Sequence, residues 1–270
     1  MNVGFVGLGS MGKGMASNIV KSGFPLWVYD LRVEALSDLV ERGARQAENL
    51  SVLSANCNWI VLSLPHQSVV EAVLFGDAGL ATGAREGQVI VDCGTTHPDF
   101  SSEAASRLRE QGVSFLDAPV TGMETRAADG TLTIMVGGDA SAYEEVLPLL
   151  DAMGEIVVHM GSPGNGQLTK MTNNVLYNIS CAAMAEMLPL AVGLGLDPDK
   201  VREVVSSGTG QSLGFDYFSG RVLRRVFDEG YSLASGFKDM AAVAEKAGAL
   251  EAPLPVFSGA LETYKTALDL

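Results

Sequence analysis

Positive charge is scarce in this 270-residue chain, where 18 lysines and arginines face 32 aspartates and glutamates, a formal charge of −14. A surface that acidic repels phosphate backbones and anionic headgroups, so neither nucleic acid nor an anionic membrane is expected as a partner. Cysteine is also scarce. Cys57, Cys93 and Cys181 are odd in number, far apart and in no metal-ligand spacing, which points to free thiols in a reducing compartment and to no metal site. The three histidines, His66, His97 and His159, lie in separate segments without a serine or aspartate at a recognisable interval, so no hydrolytic triad is expected. Internal repeats and low-complexity tracts are missing. The longest apolar stretch, residues 179–196, is interrupted by Glu186 and Pro189 and reads as a buried helix sooner than a membrane span.

Apolar residues are plentiful at 47%, enough for a packed core. The most telling stretch is MNVGFVGLGSMGKG at the start. Val3, Phe5 and Val6 predict a short buried strand, and Gly7, Gly9 and Gly12 follow in GxGxxG spacing. The amphipathic run Met15, Ile19, Val20 comes next, so the glycines fall at a strand-to-helix turn, which is the context a dinucleotide fingerprint requires. Gly7 permits the turn, Gly9 leaves room for a pyrophosphate, Gly12 lets helix and strand pack, and free N–H groups at the helix start meet negative charge. Leu8, Ser10 and Met11 complete the loop. The second strand, LWVYD, ends in Asp30, 18 positions after Gly12, about where a carboxylate meets ribose hydroxyls. Because the fingerprint starts at residue 7, no secretory leader is expected, and a cytoplasmic location follows.

Strand-like runs recur through the first 160 or so residues, at 3–6, 26–30, 59–64, 88–93, 113–120, 131–138 and 155–161, most of them followed by a helical pattern. Several are continuous Val/Ile/Leu runs, as expected of parallel strands covered on both faces. This βαβ rhythm predicts a doubly wound, Rossmann-type sheet in an α/β protein. The rhythm stops at the glycine-rich hinge GSPGNGQ (161–167). One long helix, on the order of 40 Å, is then expected over 167–194, followed by helices at 198–206, 215–227, 237–248 and 255–267. The expected organisation is a cofactor domain over 1–161 and an all-α domain over 162–270 that begins with a long interdomain helix, with a site between them.

Along the long helix, Gln167, Lys170, Asn174 and Asn178 share one face among mostly apolar neighbours. The stripe either faces a water-filled groove or carries chemistry, since a lysine among apolar neighbours becomes a usable acid or base. Two loops follow strands at the sheet end where ligands bind: DCGTTHP (92–98) and DAPVTG (117–122). Thr95 and Thr96 either donate hydroxyls to a cofactor or cap the helix near Pro98. Thr121 and the N–H of Gly122 either cradle a carboxylate or form a turn that needs glycine. The pair Lys238-Asp239 opens a helix, where a charge is usually solvated.

Four blocks, GFVGLGSMGKGMASNIV (4–20), DAPVTGMETRAADGTLTIMVGG (117–138), GNGQLTKMTNN (164–174) and GFKDMAAVAEKAG (236–248), resemble the β-hydroxyacid dehydrogenase family in order and spacing. The likeness is to its 3-hydroxyisobutyrate dehydrogenase and tartronate semialdehyde reductase branches. The resemblance implies a Rossmann domain, an interdomain helix, a helical C-terminal domain and assembly as a homodimer or homotetramer. It implies Lys170 as catalytic acid/base, Asn174 as a substrate holder, and Thr121 with Gly122 at the substrate's acid group. Thr95 and Lys238 would lie near the nicotinamide, and Leu64-Pro65 is counted with the cofactor positions. The loop reads TGM where the family usually has SGG, so Met123 places a thioether at the substrate pocket and favours a compact or partly apolar substrate. Hydride transfer between NAD and a small β-hydroxy acid or semialdehyde is therefore expected. Asp30 favours NAD over NADP, and Arg32 leaves NADP possible. The alternatives are an NADPH-dependent glyoxylate or succinic semialdehyde reductase, a cofactor-binding scaffold without turnover, which would characteristically lack the lysine, and an imine reductase, which generally replaces it.

Overall fold

A computed structural model describes all 270 residues, Met1–Leu270. The chain divides into two compact units, Met1–Lys170 and Met171–Leu270.

The first unit is a nine-stranded sheet with its connecting helices. Its strands are β1 (Val3–Val6), β2 (Leu26–Tyr29), β3 (Arg45–Gln46), β4 (Trp59–Leu62), β5 (Val89–Asp92), β6 (Ser114–Asp117), β7 (Val120–Thr121), β8 (Leu132–Gly137) and β9 (Gly154–Gly161). Between them run α1 (Ser10–Lys21), α2 (Ser37–Glu41), α3 (Leu50–Asn56), α4 (Gln67–Phe75), α5 (Pro98–Arg109), α6 (Met123–Asp129) and α7 (Ala140–Asp151). The order β3-β2-β1-β4-β5-β6 is wholly parallel, the doubly wound arrangement that the apolar runs predict. β1, β4 and β5 are buried along their whole length, which their unbroken Val/Ile/Leu composition allows only with helices on both faces. Two apolar clusters result, one of them built around Phe5, Ile19 and Val91 and the other around Ile60, Ile90 and Leu108.

The far end of the sheet departs from the expected pattern. The run 113–120 is two strands, because Pro119 has no N–H for the ladder. β8 runs antiparallel to β6 and β7, and β9 runs parallel to β8. β9 is also not covered on both faces: Val157 packs on the core while Ile156 and Val158 are exposed. The two-residue β3, polar and exposed, has no apolar signature to reveal it.

The last helices are α8 (Asn165–Gly193), α9 (Pro198–Ser207), α10 (Leu213–Leu223), α11 (Leu233–Ala249) and α12 (Pro255–Leu268). α8 starts inside the glycine-rich segment, two residues before the expected boundary, and runs through Pro189. Ser212 and Ser232 cap α10 and α11 with their hydroxyls, so both begin earlier than the apolar periodicity indicates. α10 ends at Leu223, ahead of the expected 227, where Arg225 takes a left-handed φ of 58°. By length and composition α8 is apolar enough to cross a membrane. Within its own unit only one stripe of it is buried, including Met171, Val175, Cys181, Met184 and Leu188. Leu176, Met187 and Leu190 are exposed, contrary to the expectation of a helix with little solvated surface.

Candidate active site and cofactor cradle

In the first unit the parallel strands β1, β2, β4, β5 and β6 all point their carboxyl ends at one edge. Gly7, Asp30, Leu64, Thr95 and Ala118 lie just beyond those ends. The glycine turn shows why each residue is small. Gly7 has φ +95°, a Cβ on Gly12 would lie 2.0 Å from the Gly7 carbonyl oxygen, and a Cβ on Gly9 would meet nothing within 4 Å. Gly9 is the N-cap of α1 and offers no side chain to its first N–H groups. Open space over an uncapped helix start fits a dinucleotide's pyrophosphate.

Asp30 is bound into this turn. Its Oδ2 accepts from the Leu8 N–H at 2.7 Å, and its Oδ1 accepts from the Arg32 N–H at 2.8 Å and from Arg32 Nε at 3.4 Å. Partial burial opposes the charge, yet the N–H groups of Arg32 and Leu8 and the Arg32 guanidinium hold the carboxyl below its ordinary range. Arg32 also donates to the Leu8 carbonyl at 3.4 Å. A carboxylate has about four lone-pair directions, and with three taken Asp30 retains about one for a hydroxyl.

In the two loops, Thr95 is half-buried. Thr96 is turned inward, with its hydroxyl 3.1 Å from that of Ser101, and the cap of α5 is supplied by His97, whose Nδ1 accepts from the Asp99 N–H. Gly122 has φ +136° and Met123 φ +63°, so the turn does require glycine, and it holds a methionine in a backbone region that side chains avoid. Met123 is 46% exposed. Pro65 is exposed and Leu64 half-buried. Lys170 is half-buried, and its Nζ donates to the Val120 carbonyl at 2.8 Å, which holds the ammonium group beside Thr121 and Gly122.

The polar stripe of α8 divides. Gln167 and Asn178 are fully buried and do not face a groove. Gln167 joins loops in the first unit, donating to the Gly94 carbonyl at 2.9 Å and accepting from the Thr96 N–H at 3.2 Å. Asn178 belongs to the helical unit, where it donates to the Gly236 carbonyl and accepts from the Tyr264 hydroxyl. Asn174, in the same unit, donates to Asp239 Oδ2 at 2.7 Å, and the Tyr231 hydroxyl donates to that same oxygen. Burial, with the Asp239 carboxylate beside it, pushes the Tyr231 hydroxyl above its usual range, so it stays a donor. Lys238 is exposed on α11, whereas its neighbour Asp239 is buried. Asp239 and Tyr231 escape a reading by residues alone: the first sits beside a solvated lysine, and the second lies in an aperiodic loop.

Comparison with known proteins gives matches along nearly the whole chain. Residues 2–161 match the family described as the NAD binding domain of 6-phosphogluconate dehydrogenase. Residues 164–269 match that described as NAD-binding of NADP-dependent 3-hydroxyisobutyrate dehydrogenase. The chain belongs to the β-hydroxyacid dehydrogenase family. It is 34% identical to the 2-hydroxy-3-oxopropionate reductase of Escherichia coli, over 98% of this chain and 91% of that one. It is 34% identical to the 3-hydroxyisobutyrate dehydrogenase of Pseudomonas aeruginosa, over 94% of this chain and 88% of that one. The crystal structure of a 3-hydroxyisobutyrate dehydrogenase from Salmonella typhimurium, 31% identical, superposes with a TM-score of 0.90 over 100% of this chain and 94% of that one. As a β-hydroxyacid dehydrogenase, the protein is an oxidoreductase of hydroxyl-bearing carbons that uses a nicotinamide dinucleotide.

One buried carboxyl makes a test of this unit's interior. Asp92, the last residue of β5, is fully buried; its Oδ1 accepts from the Gly94 N–H and its Oδ2 has no hydrogen-bond partner. Burial, aided by the neighbouring Asp117 charge, pushes its carboxyl up from 3.8 to about 7. The folded state therefore keeps a proton that the unfolded chain releases, so the contribution of Asp92 to stability is greatest below the lower value and declines as pH rises toward the higher. Asp92→Asn, which retains an acceptor for the Gly94 N–H, is expected to flatten that decline. Urea midpoints at pH about 5 and about 8 measure it, and an unchanged slope in the variant would assign the pH dependence to other groups.

Proposed function

We propose that the protein oxidises small β-hydroxy acids, or reduces the corresponding short semialdehydes, with Lys170 as the acid/base and NAD(H) as the preferred cofactor. The observation that carries this reading is the placement of Lys170 Nζ on the Val120 carbonyl, at the carboxyl edge of the sheet and beside Thr121 and Gly122. The bound nicotinamide supplies or accepts the hydride. Lys170 takes the proton of the substrate hydroxyl in oxidation and returns one to the oxygen in reduction. Thr121 and the Gly122 N–H receive the carboxylate, and Met123 narrows the space beside it to a compact or partly apolar substituent. Asn174, one turn along α8 from Lys170, orients the reacting carbon, and Asp239 and Tyr231 fix the Asn174 amide. Gly7 to Gly12 hold the pyrophosphate, Asp30 the ribose, and Leu64, Pro65 and Thr95 line the rest of the cofactor's path. A reducing cytoplasm suits the three buried free cysteines.

A panel of three- to five-carbon semialdehydes and β-hydroxy acids, followed by the absorbance of reduced nicotinamide, tests the reaction. Lys170→Ala should lower kcat by about 10²-fold or more with little change in cofactor binding, as expected for a lost acid/base. Bound cofactor without turnover across the panel would replace the dehydrogenase reading with that of a scaffold.

Asp30 places negative charge where a 2′-phosphate would sit, and Arg32 is folded back onto it. We expect kcat/KM for NAD(H) to exceed that for NADP(H) by about tenfold or more, the effect of roughly 1.4 kcal/mol. An NADP(H) advantage would show that Arg32 swings outward and outweighs Asp30.

Self-association is the third expectation. Leu176, Ala183, Met187 and Leu190 recur at helical spacing on the exposed side of α8, and Leu176 is 65% and Leu190 52% exposed. A continuous apolar stripe of this kind marks a protein interface, and a second copy is the occupant we propose. Sedimentation of Met187→Glu/Leu190→Glu should show a smaller species than the parent; equal masses would place the interface elsewhere.

A further inference from the structure

We propose that Gln167 and Asp117 are positioning residues for Lys170, an inference that rests on Lys170 being the acid/base. Asp117 closes β6 with a fully buried carboxylate. Its Oδ1 accepts from the Gly164 N–H at 2.7 Å and its Oδ2 from the Gln167 N–H at 2.9 Å. These N–H groups belong to the start of α8, where a helix leaves its donors without internal partners. The carboxylate thus anchors the helix by its amino end. A Cβ on Gly166 would lie 2.4 Å from the Met135 carbonyl oxygen and 2.6 Å from that of Asp117, so the first turn is pressed against two strands without slack.

Gln167 adds the second constraint. Its amide grips the β5–α5 loop at the Gly94 carbonyl and at the Thr96 N–H, the two groups on either side of Thr95. One fully buried side chain therefore ties the start of the lysine's helix to the loop proposed to meet the cofactor. Less than one turn later, Lys170 reaches the Val120 carbonyl of β7. Rotating or sliding the first turn of α8 would break the Asp117, Gln167 and Lys170 contacts together. A displacement of about 1 Å at a reacting group costs on the order of 10²-fold in rate, so this clamp matters for chemistry as well as for folding.

Gln167→Met keeps the length and removes both hydrogen bonds. The expected result is a fall in kcat of about tenfold or more, with NADH affinity by fluorescence and substrate KM little changed. The decisive comparison is Gln167→Met/Lys170→Ala against Lys170→Ala alone: mispositioning an absent lysine has no further effect, so the two should turn over equally. Losses that multiply in the double variant, or an unchanged kcat in Gln167→Met, would overturn the proposal and leave the acid/base reading intact. Full turnover in Lys170→Ala alone would remove that reading and the proposal with it. Thermal unfolding checks that the variants are folded, and Gln167→Leu serves the same comparison where the methionine is not accommodated.

Discussion

The carboxylate of Asp117 occupies the one point where the sheet, the irregular strands and the long helix come together. It lies at the end of β6, level with Gly137 at the end of β8, and accepts N–H groups from the start of α8. Burial of the charge works against ionisation, and the backbone donors of Gly164, Gln167 and Gly166 work for it. The balance leaves the carboxyl above its ordinary range, beside Asp92, which rises for the same reason. Two buried acids in adjacent strands are costly to a fold. The interior surrounds Asp117 with backbone donors, whereas Asp92 has the Gly94 N–H on one oxygen and burial raises its carboxyl.

The antiparallel end of the sheet follows from the same geometry. β6 and β7 form one interrupted ladder against β8, with Asp117 opposite Gly137, Val120 opposite Ile134 and Thr121 opposite Thr133. Because β9 runs beside β8 in the same direction, its last residue, Gly161, is delivered to the level of Gly137, close to the Asp117 carboxylate. From there α8 begins against the carboxyl edge and carries Lys170 to the Val120 carbonyl.

Much of this was legible in the residues. The apolar runs locate β1, β2, β4 and β5, and the glycine spacing locates a cradle that is open over Gly9 and crowded at Gly12. The run 113–120 misleads because apolar character continues through Ala118-Pro119 while the ladder does not. A pattern of hydrophobicity also carries no strand direction, so β8 and β9 read like their parallel neighbours. Side-chain partners are the least legible. Gln167 and Asn174 share a helical face, yet one is a buried clamp and the other is held by Asp239, and only the tertiary contacts separate them. Asp239 itself follows a solvated lysine, and nothing in its local sequence marks it as buried.

The helix α8 belongs to both compact units: Asn165 to Lys170 count with the sheet, and Met171 onward with the helices. A protein with two units normally offers a seam at which domains can be exchanged or expressed separately, and this one does not. A cut before Asn165 strips Asp117 of two of its backbone donors, those of Gly166 and Gln167. A cut after Lys170 divides a continuous helix and leaves about four N–H and four C=O groups unpaired on the new ends. Chimeras with relatives are therefore better joined elsewhere, carrying the whole of α8 together with the β6 end that anchors it, so that the swapped unit is defined by hydrogen bonds and not by compactness.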